Sequence, residues 1–166
     1  MPFLPVPGHV GSDYERLRPD FRVIADPYHP DQRIMLVPPI TPDVSIIHAH
    51  LADRAGTLLL EEREDDSLLA EASTIVVASA ERIVSTDEIR RSPTGVTLEG
   101  IHVTSVVEVP RGAHPTAVRG VYPLDEAHLS SYMVLARQDA AFKTYLDRFV
   151  LGPASHAAYL AAVSAA

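Results

Sequence analysis

Two histidines separated by one residue, His48 and His50, follow an apolar run in the segment IIHAHLADRAG, residues 46–56. Alternate residues of a β-strand point to one face, so both imidazoles are expected on the same side of a strand. Such a pair can bind one metal ion, as in hydrolases with a barrel fold. That barrel takes about 200 residues or more, and the other histidines of this chain lack ligand spacing. The sequence therefore favours a hydrogen-bonded structural imidazole and predicts no metal site.

A second segment with chemical potential is VVEVPRGAHPT, residues 106–116. The predicted strand ends near Glu108, and the chain then enters a loop rich in glycine and proline that carries Arg111 and His114. Ligands of open α/β sheets bind beyond the carboxyl ends of the strands, so this loop lies where a site is expected. Two roles stay open for Glu108, a general base or nucleophile and a carboxylate that braces the loop. His114 is either a ligand contact or a loop brace.

Two further motifs are weaker. Asp53 and Arg54 in ADRAG, residues 52–56, predict a turn with a structural ion pair, in which a buried arginine orients the loops; contact of that arginine with a substrate is the second reading. GHVGSD, residues 8–13, contains two glycines but neither follows a strand nor precedes a helix. We interpret it as tight backbone turns near a ligand rather than as a phosphate-binding loop.

Composition excludes several classes of protein. The chain of 166 residues has 22 acidic and 14 basic residues and a net charge of −8, and its basic residues are scattered, so no nucleic-acid partner is expected. It has no cysteine, which excludes disulfides, thiolate metal sites and a cysteine nucleophile. No apolar run approaches the length of a membrane helix, and the first residues do not form a signal peptide. We expect no membrane partner and a cytoplasmic location.

The pattern of elements predicts the fold. The near-continuously apolar runs DVSIIHA, residues 43–49, and TIVVASAE, residues 74–81, are typical of strands buried on both faces of a parallel sheet. Residues 1–20 are expected to be loop. The further predicted strands cover residues 21–25, 33–38, 95–100 and 102–110. The predicted helices cover residues 65–73, residues 85–93 and three segments from residue 125 onward. Ser85 or Thr86 is expected to cap the second of these helices, and Ser155 the last. The expected fold is α/β, with a mostly parallel sheet, flanking helices and a helical C-terminal tail.

Four stretches, in this order, resemble the A (alpha) subunit of family I coenzyme A transferases. They are PFLPV…GSD (residues 2–13), PDVSIIHAHLADRAG (42–56), AERIVSTDEIR (80–90) and VVEVPRGAHPT (106–116). The glutaconate CoA-transferase branch, which includes steroid-ring-cleaving hydrolases, is the most similar. The resemblance implies one CoA-transferase-like domain over residues 1–166, equivalent to the second half of the family's alpha subunit and lacking its N-terminal half.

The resemblance also implies a function. The chain would be part of an acyl-CoA:carboxylate CoA-transferase that works through a glutamyl-CoA thioester, with a B-type subunit or the N-terminal half as partner. In the transferases that glutamate belongs to the B-type subunit, so the catalytic residues of this chain are unknown. Acyl-CoA and a carboxylic acid would be substrates, without a further cofactor. The substrate-binding residues would be Gly11, Ser12, His50, Gly112 and His114.

Alternatives and departures accompany the resemblance. The chain could instead belong to an acyl-CoA ring-opening hydrolase as one of its subunits, or be a non-catalytic assembly or binding remnant of such an enzyme. Two positions differ from the family pattern: Leu51 occupies the place of a typical arginine, and Thr57 the place of a usual asparagine.

Overall fold

A computed structural model describes residues 2–164 of the chain. They fall into two compact units, divided between Pro42 and Asp43. The single domain expected for residues 1–166 stays a prediction.

The first unit contains a three-stranded antiparallel sheet with the order β1-β3-β2. Its strands are β1 (Leu4–Val6), β2 (Arg22–Ala25) and β3 (Arg33–Val37), and a single helical turn, α1 (Tyr14–Leu17), precedes β2. The structure confirms β2 and β3. The prediction of loop for residues 1–20 is wrong for β1, which pairs with β3 from Leu4↔Val37 to Val6↔Met35, and for α1. Residues 8–13 therefore do follow a strand and precede a helical turn, contrary to the sequence-based expectation. Proline is tolerated in an edge strand such as β1, where its missing N–H removes no ladder bond.

The second unit is built on a five-stranded sheet with the order β7-β5-β4-β6-β8. Its strands are β4 (Val44–Ala52), β5 (Leu58–Leu60), β6 (Ile75–Ile83), β7 (Val96–Leu98) and β8 (Ser105–Glu108). The α/β class is confirmed. β4, β6 and β8 pair in parallel, and β5 pairs antiparallel with both β4 and β7, so β7 runs in the same direction as β4 and β5 alone is reversed. The mostly parallel sheet is confirmed with one reversed strand, β5, because the turn at Gly56 is too short for a parallel crossover.

Helices lie between and after these strands. They are α2 (Asp66–Ala72), α3 (Thr86–Arg90), α4 (Glu126–Leu135), α5 (Asp139–Leu146) and α6 (His156–Ser164), with a π-helical segment, Asp147–Leu151, after α5. The predicted caps are confirmed: Ser85 Oγ accepts a hydrogen bond from Glu88 N, and Ser155 Oγ accepts one from Ala158 N. Such caps satisfy backbone donors that the first helical turn leaves free.

The core of the second unit lies mainly on one face of the sheet. It contains Ile47, Ala49, Ala52, Leu58, Leu60, Ala70, Val76, Ala78, Ala80 and Leu98. Part of the opposite face is open within the described chain, where Ile46 is 78% exposed and Val44, Ile75 and Val107 are between 41% and 54% exposed; further along the same face Ala52 and Glu81 are buried. The prediction that β4 is buried on both faces is wrong for the start of the strand, where residues alternate between exposed and buried, whereas from Ile47 onward every residue of β4 is buried or partly buried.

Candidate functional site

The candidate site lies where parallel strands β4, β6 and β8 end. His48 pairs with Ser79 in the register of β4 and β6, and Ala80 pairs with Glu108 in that of β6 and β8. Residues 109–123 leave β8 as an irregular loop. The sequence predicts a site beyond the carboxyl ends of the strands. In the structure, polar side chains of several strands lie at that edge of the sheet.

The side chain of His48 is held by two residues of β6. His48 Nδ1 lies 2.7 Å from Ser79 Oγ, and His48 Nε2 lies 2.7 Å from Glu81 Oε1. Alternate residues of neighbouring strands share one face, which brings these three side chains together. Both ring nitrogens thus have protein partners, as the structural reading of this histidine predicts. Among residues 2–164, no group of three or more His, Asp or Glu side chains is arranged to hold a metal ion.

Glu81 links the strands to the loop that follows β8. Its second carboxylate oxygen accepts a hydrogen bond of 2.8 Å from the backbone N–H of Arg111. Burial acts to raise the pKa of Glu81, but hydrogen bonds from Arg111 N–H, His48 and Tyr122 outweigh it, so the pKa lies below its ordinary value. Burial, reinforced by Glu81, raises the pKa of Tyr122 to about 12. Glu81 is therefore an ionised acceptor that fixes the start of the loop.

The loop backbone at Arg111 and Gly112 is closely packed and has an unusual conformation. Arg111 has a φ of 59°, which an L-residue rarely adopts. A Cβ on Gly112 would lie 2.8 Å from the carbonyl oxygen of Val109 and 2.9 Å from Cε1 of His48. Only glycine fits there without movement. Gly112 thus packs against the ring of His48 and contributes no side chain.

His114 is a buried link between the loop and the helices. Its side chain is fully inaccessible, its Nδ1 lies 2.6 Å from the hydroxyl of Tyr159, and its Nε2 lies 3.1 Å from Asp125 Oδ2. The ring also packs edge-on against His128, with centroids 5.2 Å apart. This geometry fits the loop-brace reading of His114. A direct ligand contact stays a prediction.

The remaining predicted site residues occupy different surroundings. His50 is partly buried on β4 and lines a cavity of about 490 Å³. In the first unit, Gly11 has a φ of 78° and its N–H donates to Glu15 Oε1 at 2.6 Å, while the hydroxyl of Ser12 donates to the carbonyl of His9 at 2.6 Å. Both residues form the tight turn that the sequence predicts.

Asp53, the first of the two acidic candidates, is a brace. It accepts hydrogen bonds from Ala55 N, Thr57 N and Thr86 Oγ1 at 2.6–2.9 Å, whereas Arg54 is exposed. The predicted ion pair with a buried arginine is wrong, because backbone and hydroxyl donors already satisfy this carboxylate.

Glu108, the second acidic candidate, is likewise bound by a backbone donor. Its Oε2 accepts a 2.6 Å hydrogen bond from the backbone N–H of Ile83. Of its two readings, the geometry fits the carboxylate that ties neighbouring strand ends together.

Sequence reasoning missed Ser79 and Glu81, the residues that organise the site. Their spacing was the available signal, because Ser79-Ala80-Glu81 on one buried strand repeats the alternation of His48-Ala49-His50 on the other. Strand pairing and register were needed to match the two. The contacts of Asp125, His128 and Tyr159 to the loop had no local signal, since they join residues up to 45 positions apart.

The mixed sheet and the loop beyond its strand ends agree with a match of residues 31–109 to the coenzyme A transferase family model. Over these residues the chain is similar to this family. It is similar to the alpha-type subunit of glutaconate CoA-transferase from Acidaminococcus fermentans, with 33% identity over 84% of this chain and 44% of that protein. It is also similar to a subunit of the cholesterol ring-cleaving hydrolase of Rhodococcus jostii, with 30% identity over 92% of this chain and 54% of that protein.

A solved structure of the same kind of enzyme is also similar to this chain. The crystal structure of glutaconate coenzyme A-transferase from Acidaminococcus fermentans matches 99% of this chain and 57% of its own chain, with a TM-score of 0.87 and 31% identity. The present chain spans about half the length of the curated relatives. No helix in residues 2–164 is long and apolar enough to cross a membrane.

Proposed function

We propose that this chain is an alpha-type subunit, or part of one, of a cytoplasmic acyl-CoA:carboxylate CoA-transferase. CoA moves from an acyl-CoA to a carboxylic acid through a glutamyl-CoA thioester, and the glutamate lies outside this chain. Coenzyme A is a substrate, and no metal or redox cofactor takes part. The observation that carries the proposal is the agreement with glutaconate CoA-transferase over 99% of the chain, at 31% identity.

The residues of the site have distinct roles in this proposal. Within the second unit, His50 and the backbone at Gly112 contact the acyl thioester. Gly11 and Ser12, in the turn of the first unit, are separately proposed as substrate contacts. His114 positions the loop, because it joins that loop to Asp125 and Tyr159. The pair of His48 and Glu81 holds the loop from the other side, so that a substrate meets a preorganised wall.

The open face of the sheet supports a partner. Parallel strands are normally covered on both faces, yet Ile46 is 78% exposed and Val107 is 54% exposed in this chain. A B-type subunit, or polypeptide equivalent to the rest of the alpha-type subunit, would bury these side chains. The partner would also supply the glutamate.

Trapping of the thioester tests the proposal. The chain is co-expressed with a candidate B-type subunit, and the purified complex is treated with acyl-CoA and then with borohydride or hydroxylamine. We expect loss of activity only when acyl-CoA is present, and a modified glutamate in a peptide outside residues 1–166. An unmodified complex that still exchanges CoA would refute the thioester route.

A ring-opening acyl-CoA hydrolase is the second candidate, because a cholesterol ring-cleaving hydrolase subunit is 30% identical to the chain. The transferase and the hydrolase differ in whether they need a carboxylic acid to accept CoA. A transferase is inactive without a second carboxylate, whereas the hydrolase consumes its acyl-CoA in water alone.

The non-catalytic alternative has its own signature. A complex that assembles but neither exchanges CoA nor opens an acyl-CoA ring would favour an assembly or binding role for this chain.

A further inference from the structure

Two cavities meet at His50. The first has a volume of about 490 Å³ and the second about 350 Å³, and His50, Glu61 and Arg119 line both of them. Volumes of this size accommodate a small organic group. Since the two cavities share a wall, a ligand placed beside His50 meets the charges of both.

The lining of these cavities carries an excess of negative charge. Two guanidinium groups, Arg82 and Arg119, lie among the described lining residues. The carboxylates of the same lining are those of Glu61, Glu62, Glu64, Asp66 and Glu81. The proximity of these carboxylates affects Asp66: burial, together with the neighbouring charges of Glu64 and Asp65, raises its pKa.

Both guanidinium groups already have carboxylate partners. Arg82 lies 2.9 Å from Glu88, and Arg119 lies 3.4 Å from Glu61. The side chain of Glu61 is only 13% exposed, so its charge is poorly screened by water. A ligand carboxylate would compete for these partners and face the remaining acids.

The uncharged part of the lining includes an aliphatic group of residues on the larger cavity. Leu59 is buried and Leu51 is partly buried, and Val121, which is 53% exposed, also lines the larger cavity. Apolar walls of this kind stabilise alkyl groups through removal of their surface from water.

We infer that the cavities at His50 accept an acyl group whose far end is uncharged and aliphatic, and that they reject acyl groups that carry a second carboxylate. The inference rests on the proposed function, because it concerns the acyl-CoA substrate. It assigns a specificity-determining role to Glu61 and Glu62. A second carboxylate there would meet Glu61, which already pairs with Arg119, and Glu62. Such like-charge contacts are strongly unfavourable.

Binding of two matched ligands tests the inference without turnover. Non-hydrolysable thioether analogues of valeryl-CoA and glutaryl-CoA have the same number of acyl carbons and differ by one terminal carboxylate. Isothermal titration of the full chain in complex with its partner, at pH 8, is expected to give at least about tenfold tighter binding of the valeryl analogue. Equal affinities, or tighter binding of the glutaryl analogue, would overturn it.

Charge variants provide the matched control. In Glu61→Gln, one carboxylate is lost and Arg119 is released, so the preference for the valeryl analogue should fall about tenfold. Glu62→Gln, on a more exposed residue, should reduce it by a smaller factor. Glu71→Gln removes the same charge from an exposed position on α2 that lines neither cavity, and the preference should be unchanged. A preference that follows net charge in all three variants would contradict a local effect.

The outcome separates the inference from the proposed function. A complex that exchanges CoA and favours glutaryl-CoA overturns the inference alone. A complex that binds the valeryl analogue more tightly but exchanges no CoA upholds the inference about the cavity and refutes the transferase.

Discussion

Replacement of Glu81 by alanine should destabilise the protein strongly. The side chain of Glu81 is 7% exposed and forms hydrogen bonds of 2.7 Å with His48 and 2.8 Å with Arg111 N–H. Hydrogen bonds to charged groups contribute about 1.5–3 kcal/mol each, so their loss sums to about 3–6 kcal/mol. Water that enters the vacated volume offsets part of this loss, and we expect about 3 kcal/mol. For a chain of this size that lowers the melting temperature by about 6–12 °C.

Urea and thermal unfolding measure this loss against a matched variant. Glu88→Ala removes the partner of Arg82 from an exposed ion pair, and such pairs contribute less than about 1 kcal/mol. The pKa of Glu81 is lowered from its ordinary 4.5 in the folded protein, so its contribution is present above that value and is lost as the pH falls through the lowered pKa. A Glu81→Ala protein as stable as Glu88→Ala at pH 7, or a loss that persists at strongly acidic pH, would refute the reasoning.

Three further predictions concern the loop and the helical tail. Gly112→Ala should destabilise the protein by about 1–3 kcal/mol in urea because its Cβ meets Val109 and the histidine ring, whereas Gly8→Ala, with nothing within 4 Å, should be near neutral. Tyr159→Phe should cost about 1 kcal/mol and increase amide exchange in α6, because His114 loses a buried partner; unchanged exchange would contradict the link. Burial and the nearby charge of His114 lower the pKa of His128 from 6.5, so the folded state binds fewer protons than the unfolded state below that pH. Stability should then fall as the pH is lowered from about 7 to about 5.5, and His128→Gln should flatten the fall.

Local signals in the sequence predicted the elements better than their arrangement. The strands around residues 21–25, 33–38, 43–49 and 74–81 and the caps at Ser85 and Ser155 are encoded by adjacent residues, and all are present. The reversed direction of β5 follows from the short turn at Gly56, and the exposure of Ile46 follows from what packs on the sheet; hydrophobic periodicity reports neither.

The candidate site shows the same division. The position of the loop beyond β8 followed from a general rule for α/β sheets. Its chemistry did not, because the role of His48 is fixed by Ser79 and Glu81 on another strand. Likewise, the burial of His114 depends on Tyr159, which lies 45 residues further along the chain.

Exchange of a labelled carboxylate into acyl-CoA tests the central claim most directly. The chain, its B-type partner and the assembled complex are each incubated with unlabelled acyl-CoA and the corresponding ¹³C-labelled acid, and label in the acyl-CoA is followed by mass spectrometry. The account predicts label in acyl-CoA with the complex and none with either component alone. Exchange by the partner alone, or an assembled complex that consumes acyl-CoA without incorporating label, would contradict it.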